Sequence, residues 1–239
     1  MKEHKALLRM ENVHRRYGAG DNVVHALYDI DLTVEAGDMV AVCGPCGHGK
    51  TTLVNLMGLL DLPSGGRIFV DGVDAGALTG QQRQRLRSEH IGVVFQHPAL
   101  LPALTVLENT LLPVLLGTGP DRAAAEFAPE LLARLGLAVQ LHRHPAELDA
   151  SQRQRVAIAR ALVTRPALVV ADEPASRLDS GSERLVAELF AAIQREHGTA
   201  FVLATRDQRQ QLRAARTLQL SEGRLVSVPA DTPRRALRA

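Results

Sequence analysis

The chain has 239 residues, of which 46% are apolar and 23% charged, and its formal net charge is +2 at pH 7. This length suits one large core, and an aromatic content of 3% without tryptophan argues against a stacking platform for single-stranded nucleic acid. The small basic excess gives no indication of a nucleic-acid partner. No apolar run reaches the roughly 18 residues that span a bilayer, and residues 1–5 do not open a signal peptide. We therefore expect a cytosolic chain that reaches a membrane only through a partner.

Two segments with alternating apolar and polar residues, 7–16 and 25–35, flank a turn at 18–22. This pattern predicts an antiparallel hairpin. Tyr17 lies at the turn, where its ring could stack on an adenine base or simply cap the hairpin. The residue alone does not decide between these two roles.

An apolar strand at 39–43 leads into a glycine-rich segment that matches the complete phosphate-loop pattern GxxxxGK[ST]. Its glycines let consecutive backbone N–H groups surround a polyphosphate, and the following helix presents its positive end. Lys50 adds a mobile charge, and the Thr51 hydroxyl can bind Mg²⁺. The residues predicted to bind a nucleotide here are Gly44, Pro45, Cys46, Gly47, His48, Gly49, Lys50, Thr51 and Thr52.

The same segment contains Cys43 and Cys46 with the CxxC spacing of a redox pair. A disulfide there would distort a loop that must surround phosphate, so the two motifs exclude each other. The phosphate loop is longer and has partners further along the chain, which favours it. We therefore expect both cysteines, the only two in the chain, to be reduced.

The segment after the phosphate loop changes character at residue 97. Before that point the pattern predicts a helix at 51–60, a strand after Gly65, a helix capped by Thr79, and a strand at 91–96. This strand ends in Gln96, which could reach a metal ion or an attacking water. Beyond this strand, prolines punctuate the apolar segments 99–104 and 106–116, and an amphipathic helix follows at 121–135. This pattern indicates a helical insertion with an exposed apolar groove, or a plain helical part of the core.

A helix at 148–164 precedes the continuous apolar strand 167–171, which is typical of the middle of a parallel sheet. The strand ends in Asp172 and Glu173. An acidic pair after a strand can be a solvated turn, but next to a phosphate loop Asp172 can hold Mg²⁺ and Glu173 can polarise the attacking water.

The rest of the chain predicts a helix at 182–197, a strand at 199–205, a helix at 208–215 and a hairpin at 218–226. Strands that alternate with helices predict an α/β fold with a mostly parallel sheet and right-handed crossovers. We expect one domain over 1–228, with a helical subdomain at about 97–160. The tail at 229–239 is expected to be frayed and disordered.

With these motifs in order, the chain resembles the ATPase subunits of ABC transporters over residues 6–228. The segments 55–61, 100–102 and 107–109 are most like those of the subunits for lipoprotein release and macrolide efflux. The resemblance implies a P-loop NTPase core with an N-terminal antiparallel β subdomain and an inserted α-helical subdomain. It also implies ATP and Mg²⁺, a transmembrane permease subunit that docks on 97–116, and a second ATPase subunit. The implied location is peripheral, at the cytoplasmic face of the inner membrane.

The resemblance also assigns roles to single residues. It makes Tyr17 the adenine-stacking residue, 44–52 the Walker A loop and Gln96 the Q-loop glutamine. It makes Asp172 and Glu173 the Walker B pair and 176–179 the D-loop.

The family signature LSGGQ reads Leu-Asp-Ala-Ser-Gln here, at 148–152. In the family each signature contacts the γ-phosphate held by the opposite subunit, which implies nucleotide contacts for Asp149, Ser151 and Gln152. Asp149 places a carboxylate where the family has a hydroxyl, and one charge pair at ~5 Å costs roughly 3 kcal/mol at an effective dielectric near 20. Ala150 and Ser151 add bulk where backbone must approach closely. We expect weaker closure of the ATP-bound dimer.

Arg206 stands where the family has a switch histidine. An arginine can donate to phosphate but cannot accept a hydrogen bond, so the histidine's link between phosphate and the D-loop would be lost. Alternatively, Arg206 is a tolerated variant that still holds the γ-phosphate. In either case we assign it to the catalytic site.

Three functions remain open at this point. The first is an ATPase subunit that powers an exporter or a lipoprotein extractor. The second is a degenerate ATP-binding subunit that hydrolyses little by itself and pairs with an intact ATPase. The third is a soluble, non-transport ABC protein, although such proteins usually carry two nucleotide domains in tandem.

Overall fold

A computed structural model describes residues 6–18, 20–117 and 122–227 of the chain. The predicted frayed tail at 229–239 lies outside these described residues, as do residues 1–5.

The described residues form ten strands and seven α-helices. The strands are β1 (Ala6–Tyr17), β2 (Val24–Glu35), β3 (Met39–Cys43), β4 (Gly65–Val70), β5 (Val73–Asp74), β6 (Ile91–Val94), β7 (Leu168–Asp172), β8 (Ala200–Ala204), β9 (Arg216–Ser221) and β10 (Arg224–Ser227). The helices are α1 (Lys50–Met57), α2 (Gly80–His90), α3 (Val106–Leu116), α4 (Arg122–Arg134), α5 (Ala150–Leu162), α6 (Ser180–His197) and α7 (Gln208–Arg213).

The strands form two sheets. The antiparallel sheet has the order β2-β1-β4-β5, and it contains the predicted N-terminal hairpin. The larger sheet has the order β10-β9-β3-β8-β7-β6, in which only the β9–β10 pair is antiparallel. The predicted α/β class with a mostly parallel sheet is confirmed.

The parallel sheet is buried on both faces. Successive residues of a strand point to opposite faces, so Val169 and Phe201 pack with the helices α3 to α6, whereas Val170 and Val202 pack with β1, β2 and α1. This two-sided burial explains why β7 and β8 read as continuous apolar runs.

Two helix boundaries show how local chemistry sets the ends of elements. Thr79 caps α2, as the sequence predicts, and the structure adds a reciprocal capping box with Gln82. Helix α1 ends at Met57, three residues before its predicted end, because Gly58 caps it and Leu59 adopts a left-handed φ of 52°. The apolar segment 99–104 forms no regular helix or strand.

Parallel strands place their carboxyl ends at one edge of the sheet. In this fold the ends of β3, β6, β7 and β8 meet there. The phosphate loop, Gln96, the acidic pair and Arg206 all follow these strand ends, and the sheet therefore gathers them at one edge.

Candidate nucleotide-binding site

The phosphate loop needs glycine at two of its positions for space. A Cβ atom on Gly44 would lie 2.1 Å from the carbonyl oxygen of Leu220, and one on Gly49 would lie 2.5 Å from that of Ala26. Gly49 also has a φ of 98° and occupies the N-cap of α1. Because glycine has no side chain to cap the helix, the first N–H groups of α1 are left to bind an anion.

Lys50 lies inside the curve of this loop. Its Nζ atom donates to the carbonyl oxygens of Gly44, at 2.7 Å, and Pro45, at 2.9 Å. Only 8% of the residue is exposed. The one lysine of the loop thus presents its charge from within the backbone curve that would hold phosphates.

The phosphate loop and the acidic pair meet in one hydrogen bond. The Thr51 hydroxyl donates to Oδ2 of Asp172 at 2.6 Å, although 121 residues separate them. Burial raises the pKa of Asp172, and the hydrogen bond from Thr51 opposes that rise. A hydroxyl beside a carboxylate is a donor set that suits Mg²⁺, which prefers oxygen ligands.

Glu173 is held in an unusual backbone conformation. Its φ is 45°, a value that non-glycine residues rarely adopt, and its N–H donates to the carbonyl oxygen of Ala204 at 2.8 Å. Its own carbonyl accepts from the Ser176 hydroxyl at 2.9 Å. These bonds fix a side chain that is only 10% exposed at the edge of the sheet.

Arg206 pairs with this carboxylate. Its Nε atom donates to Oε1 of Glu173 at 3.0 Å, and its backbone N–H lies 3.4 Å from Oε2. Its Nη1 atom lies 3.1 Å from the sulfur of Cys46 in the phosphate loop. The Arg206 guanidinium therefore joins the segment after β8 to the acidic pair and to the phosphate loop.

Both cysteines are free thiols, as predicted. Cys46 is exposed in the phosphate loop, whereas burial raises the pKa of Cys43 to about 11. The thiol of Cys43 is therefore a poor nucleophile near neutral pH.

Gln96 follows β6 and is partly buried, and its backbone carbonyl oxygen accepts from Nε of Arg177 at 3.3 Å.

Gln154 is a residue of the site that the sequence did not indicate. Gln154 of α5 is fully buried, and its Nε2 atom lies 3.2 Å from the carbonyl oxygen of Phe95 and 3.3 Å from that of Pro174. It thereby ties the segments after β6 and β7 together. No periodicity of the sequence distinguishes Gln154 from its polar neighbours.

The altered signature begins helix α5. Asp149 is the N-cap, and its Oδ1 atom accepts from the Gln152 N–H at 2.7 Å. The Ser151 hydroxyl donates to Oδ2 of Asp179 at 2.8 Å. Asp179 also accepts from the N–H of Ser182 at 2.9 Å and from its hydroxyl at 2.7 Å. These two bonds and the bond from Ser151 hold the pKa of the Asp179 carboxyl well below its usual range. In the described part of the chain, these bonds link the signature segment to the D-loop segment.

Tyr17 is engaged with its own neighbours. Its hydroxyl donates to Oδ2 of Asp61 at 3.1 Å, and the Arg15 guanidinium carbon lies 4.5 Å from the centre of its ring. Arg15 and Asp61 also form an ion pair at 2.9 Å. The residue remains 38% exposed.

Within residues 6–18, 20–117 and 122–227, no helix is both long enough and apolar enough to cross a bilayer.

Comparison with known proteins gives consistent matches. A family model described as ABC transporter matches residues 27–176. The lipoprotein-releasing system ATP-binding protein LolD of Anaeromyxobacter dehalogenans is 44% identical over 231 residues, which are 95% of each chain. The macrolide export ATP-binding/permease protein MacB of Escherichia coli is 39% identical over 93% of this chain and 34% of its own. A solved dimer of the ATP-binding cassette MJ0796 with ADP and Pi superposes with a TM-score of 0.86 at 32% identity, covering 92% of this chain and 98% of that one.

Proposed function

Because this chain belongs to the ABC transporter family, we propose that it binds and hydrolyses MgATP to drive a transport step through a separate membrane subunit. The observation that carries this proposal is the 2.6 Å hydrogen bond between Thr51 and Asp172. It joins a phosphate-binding loop to an acidic strand end, which is the arrangement that phosphoryl transfer needs.

The binding roles follow from the geometry of the loop. The backbone N–H groups of 44–52 and the start of α1 surround the phosphates, and Lys50 neutralises their charge from inside the curve. Thr51 and Asp172 would supply oxygen ligands for Mg²⁺, with Gln96 as a further ligand. When bound, Mg²⁺ would neutralise charge that develops on the transferred phosphoryl group.

For hydrolysis we assign the base to Glu173. Its carboxylate orients a water molecule and accepts a proton as the water oxygen attacks the γ-phosphorus and ADP leaves. Arg206 holds that carboxylate in place at 3.0 Å and can extend a second donor to phosphate. Gln96 helps to orient the same water.

We further propose a second ATPase subunit as a partner. The solved MJ0796 cassette is a dimer bound to ADP and Pi. In such a pair Asp149, Ser151 and Gln152 at the start of α5 would face the nucleotide of the other subunit. The alternative of a degenerate subunit rests on the altered signature and on Arg206 alone, whereas the residues for binding and hydrolysis adjoin one another in this chain.

The membrane partner is proposed to dock on residues 97–116. Leu101, before α3, is 45% exposed, and Leu115 and Leu116, at the end of α3, are 63% and 70% exposed. Leu107 and Leu111 of α3 pack against the core. Exposed apolar side chains on a rigid helix suit a protein partner. This docking would hold the chain at the cytoplasmic face of the membrane. From the named relatives, we propose lipoprotein release or macrolide export as the type of transport.

Two measurements test this function. ATP turnover of the purified chain should be lost in Lys50→Ala through weaker binding of ATP and in Glu173→Gln through slower hydrolysis of bound ATP. Wild-type protein that binds no MgATP would contradict the proposal. Co-purification with an integral membrane protein should be weakened by Leu115→Gln with Leu116→Gln, and not by Val139→Gln, a change at another exposed apolar residue (83%).

A further inference from the structure

The phosphate loop lies between β2 and the β9–β10 hairpin. A Cβ atom on Gly49 would lie 2.5 Å from a carbonyl oxygen of β2, and one on Gly44 would lie 2.1 Å from a carbonyl oxygen of β9. The hairpin is in turn fastened to β2, because the N–H of Tyr28 donates to the carbonyl oxygen of Gly223 at 2.8 Å. The shape of the loop therefore depends on how firmly these neighbours hold it.

A side chain of the loop forms a hydrogen bond with the hairpin. The Nδ1 atom of His48 accepts the backbone N–H of Glu222 at 3.0 Å, although 174 residues separate them. Glu222 and Gly223 form the tight turn between β9 and β10, with φ values of 47° and 75°, and this turn fixes the direction of the N–H. The motif GxxxxGK[ST] leaves the position of His48 open, so phosphate binding alone does not require a histidine there.

The bond between His48 and Glu222 requires a neutral imidazole. A ring nitrogen accepts a hydrogen bond only while it carries no proton, so the proton of the ring lies on Nε2. In the doubly protonated ring, Nδ1 would carry a hydrogen that opposes the hydrogen of the Glu222 N–H. His48 is only half-buried, so protons from the solvent can reach it. Protonation of His48 would therefore break the bond between loop and hairpin.

Other charged or titratable groups surround His48. Those that line the cleft between β2 and the hairpin together with His48 are His25, Tyr28, Glu222 and Arg224. Cys46 and Lys50 belong to its own loop. His25 is the second imidazole of this cleft, so a test of pH dependence must vary it separately.

We propose that His48 is a positioning residue, whose neutral imidazole holds the phosphate loop in its anion-binding shape by fastening the loop to the β9–β10 hairpin. This inference rests on the proposed function, because it concerns how the loop is prepared for the phosphates of ATP. Gly47 and Gly49 flank His48 with φ values of 78° and 98°, and glycine is the most flexible residue of the backbone. A loop that is already held in its bound shape loses less conformational entropy when the ligand binds.

Hydrogen exchange of the nucleotide-free chain tests the bond directly. NMR would give the protection factor of the Glu222 amide, which corrects for the intrinsic effect of pH on exchange, between about pH 8 and pH 5, where histidine titrates. We expect protection in wild type at the upper pH and loss of protection at the lower pH. His48→Asn should keep the protection throughout, because its amide oxygen takes the place of Nδ1 and does not titrate. The matched control His25→Asn should lose protection as wild type does.

Binding of two phosphate ligands tests the positioning role. Titration calorimetry would give the Kd of MgATP and of inorganic tripolyphosphate with Mg²⁺ for wild type, His48→Ala, His48→Asn and His48→Gln. We expect His48→Ala to bind both ligands about three- to tenfold more weakly, which is the scale of one neutral hydrogen bond. His48→Asn should recover most of this affinity. His48→Gln should not, because its longer side chain places the amide at the position of Nε2.

The outcomes separate this inference from the function on which it rests. An unprotected Glu222 amide in wild type at the upper pH, or equal affinities of wild type and His48→Ala, would overturn the inference. A loss confined to MgATP would also overturn it, since His48 would then act on the nucleoside and not on the shape of the loop. Equal recovery in His48→Asn and His48→Gln would do the same. Wild-type protein that binds neither ligand would contradict the proposed function, while hydrogen exchange would still decide whether the bond forms.

Discussion

The Nε atom of Arg206 lies 3.0 Å from Oε1 of Glu173, and the same guanidinium reaches the sulfur of Cys46 at 3.1 Å. Arg206 occupies the position at which the family has a histidine. The sequence suggested that this change removes a link between phosphate and the D-loop. In the structure Arg206 instead holds the carboxylate that we assign as the base and contacts the phosphate loop.

We predict that Arg206→Gln lowers the turnover number by about tenfold or more and changes the Kd of ATP little. The reason is that Glu173 loses the donor that fixes its orientation, and misplacement of a catalytic group is costly. Because the Arg206 side chain is half-exposed, its ion pair with Glu173 is screened by solvent, and the loss of stability should be small. Steady-state kinetics and equilibrium binding on one preparation measure both effects.

The chain offers a matched control for this change. Arg209 pairs with Glu183 at 3.0 Å, and the Glu183 side chain is 10% exposed, as is that of Glu173. Arg209→Gln should cost similar stability and leave turnover unchanged. Equal turnover in Arg206→Gln and wild type would refute the positioning role.

A second prediction concerns Asp172→Asn. The pKa of Asp172 is raised in the folded chain, so ionisation of this carboxylate opposes folding above its ordinary pKa of 3.8 and has no such effect below it. The asparagine still accepts from Thr51 and carries no charge. We expect a Tm above that of wild type at neutral pH, no such difference at acidic pH, and loss of turnover. A lower Tm at neutral pH would contradict this account.

Asp149 provides a third prediction. Asp149→Asn keeps an acceptor for the Gln152 N–H and removes the charge, whereas Asp149→Ala removes both. In a Glu173→Gln background, ATP-driven dimerisation should strengthen by about tenfold or more in both variants. Only the alanine variant should also lose about 0.5–2 kcal/mol of stability through the lost cap. Analytical sedimentation with and without ATP measures the fraction of dimer. Unchanged dimerisation of the asparagine variant would show that the Asp149 charge does not oppose closure of the dimer.

The two cysteines should differ sharply in alkylation. With a pKa of about 11, about one in a thousand Cys43 thiols is ionised at pH 8, whereas Cys46 is exposed in the phosphate loop. At that pH iodoacetamide should label Cys46, and the labelled protein should bind ATP more weakly. Bound ATP should prevent the labelling. Cys46→Ser should abolish the labelling. Equal labelling of Cys46 with and without ATP would mean that its thiol does not face the nucleotide.

Much of the fold was predictable because it depends on local signals. Alternation predicts β1 and β2, apolar runs predict β3 and β7, and Thr79 as a helix cap predicts the start of α2. Motif spacing likewise indicated the phosphate loop and the acidic pair. The end of α1 was misplaced because Gly58, a residue type common at helix ends, was read as part of the helix.

The contacts between distant segments could not be predicted in the same way. Gln154 bridges two strand ends, His48 meets Glu222 across 174 residues, and Ser151 reaches Asp179 across 28. These are hydrogen bonds of polar side chains, which leave no periodicity in the sequence. They depend on the tertiary arrangement that only the folded chain provides.

The most direct test of the account measures MgATP binding and ATP turnover on the same preparations of wild type and Glu173→Gln. We predict that wild type binds and hydrolyses MgATP, and that Glu173→Gln binds it with similar affinity while turnover falls to background. Turnover that survives Glu173→Gln would contradict the assignment of the base. Absence of MgATP binding by the wild-type chain would contradict the nucleotide site as a whole.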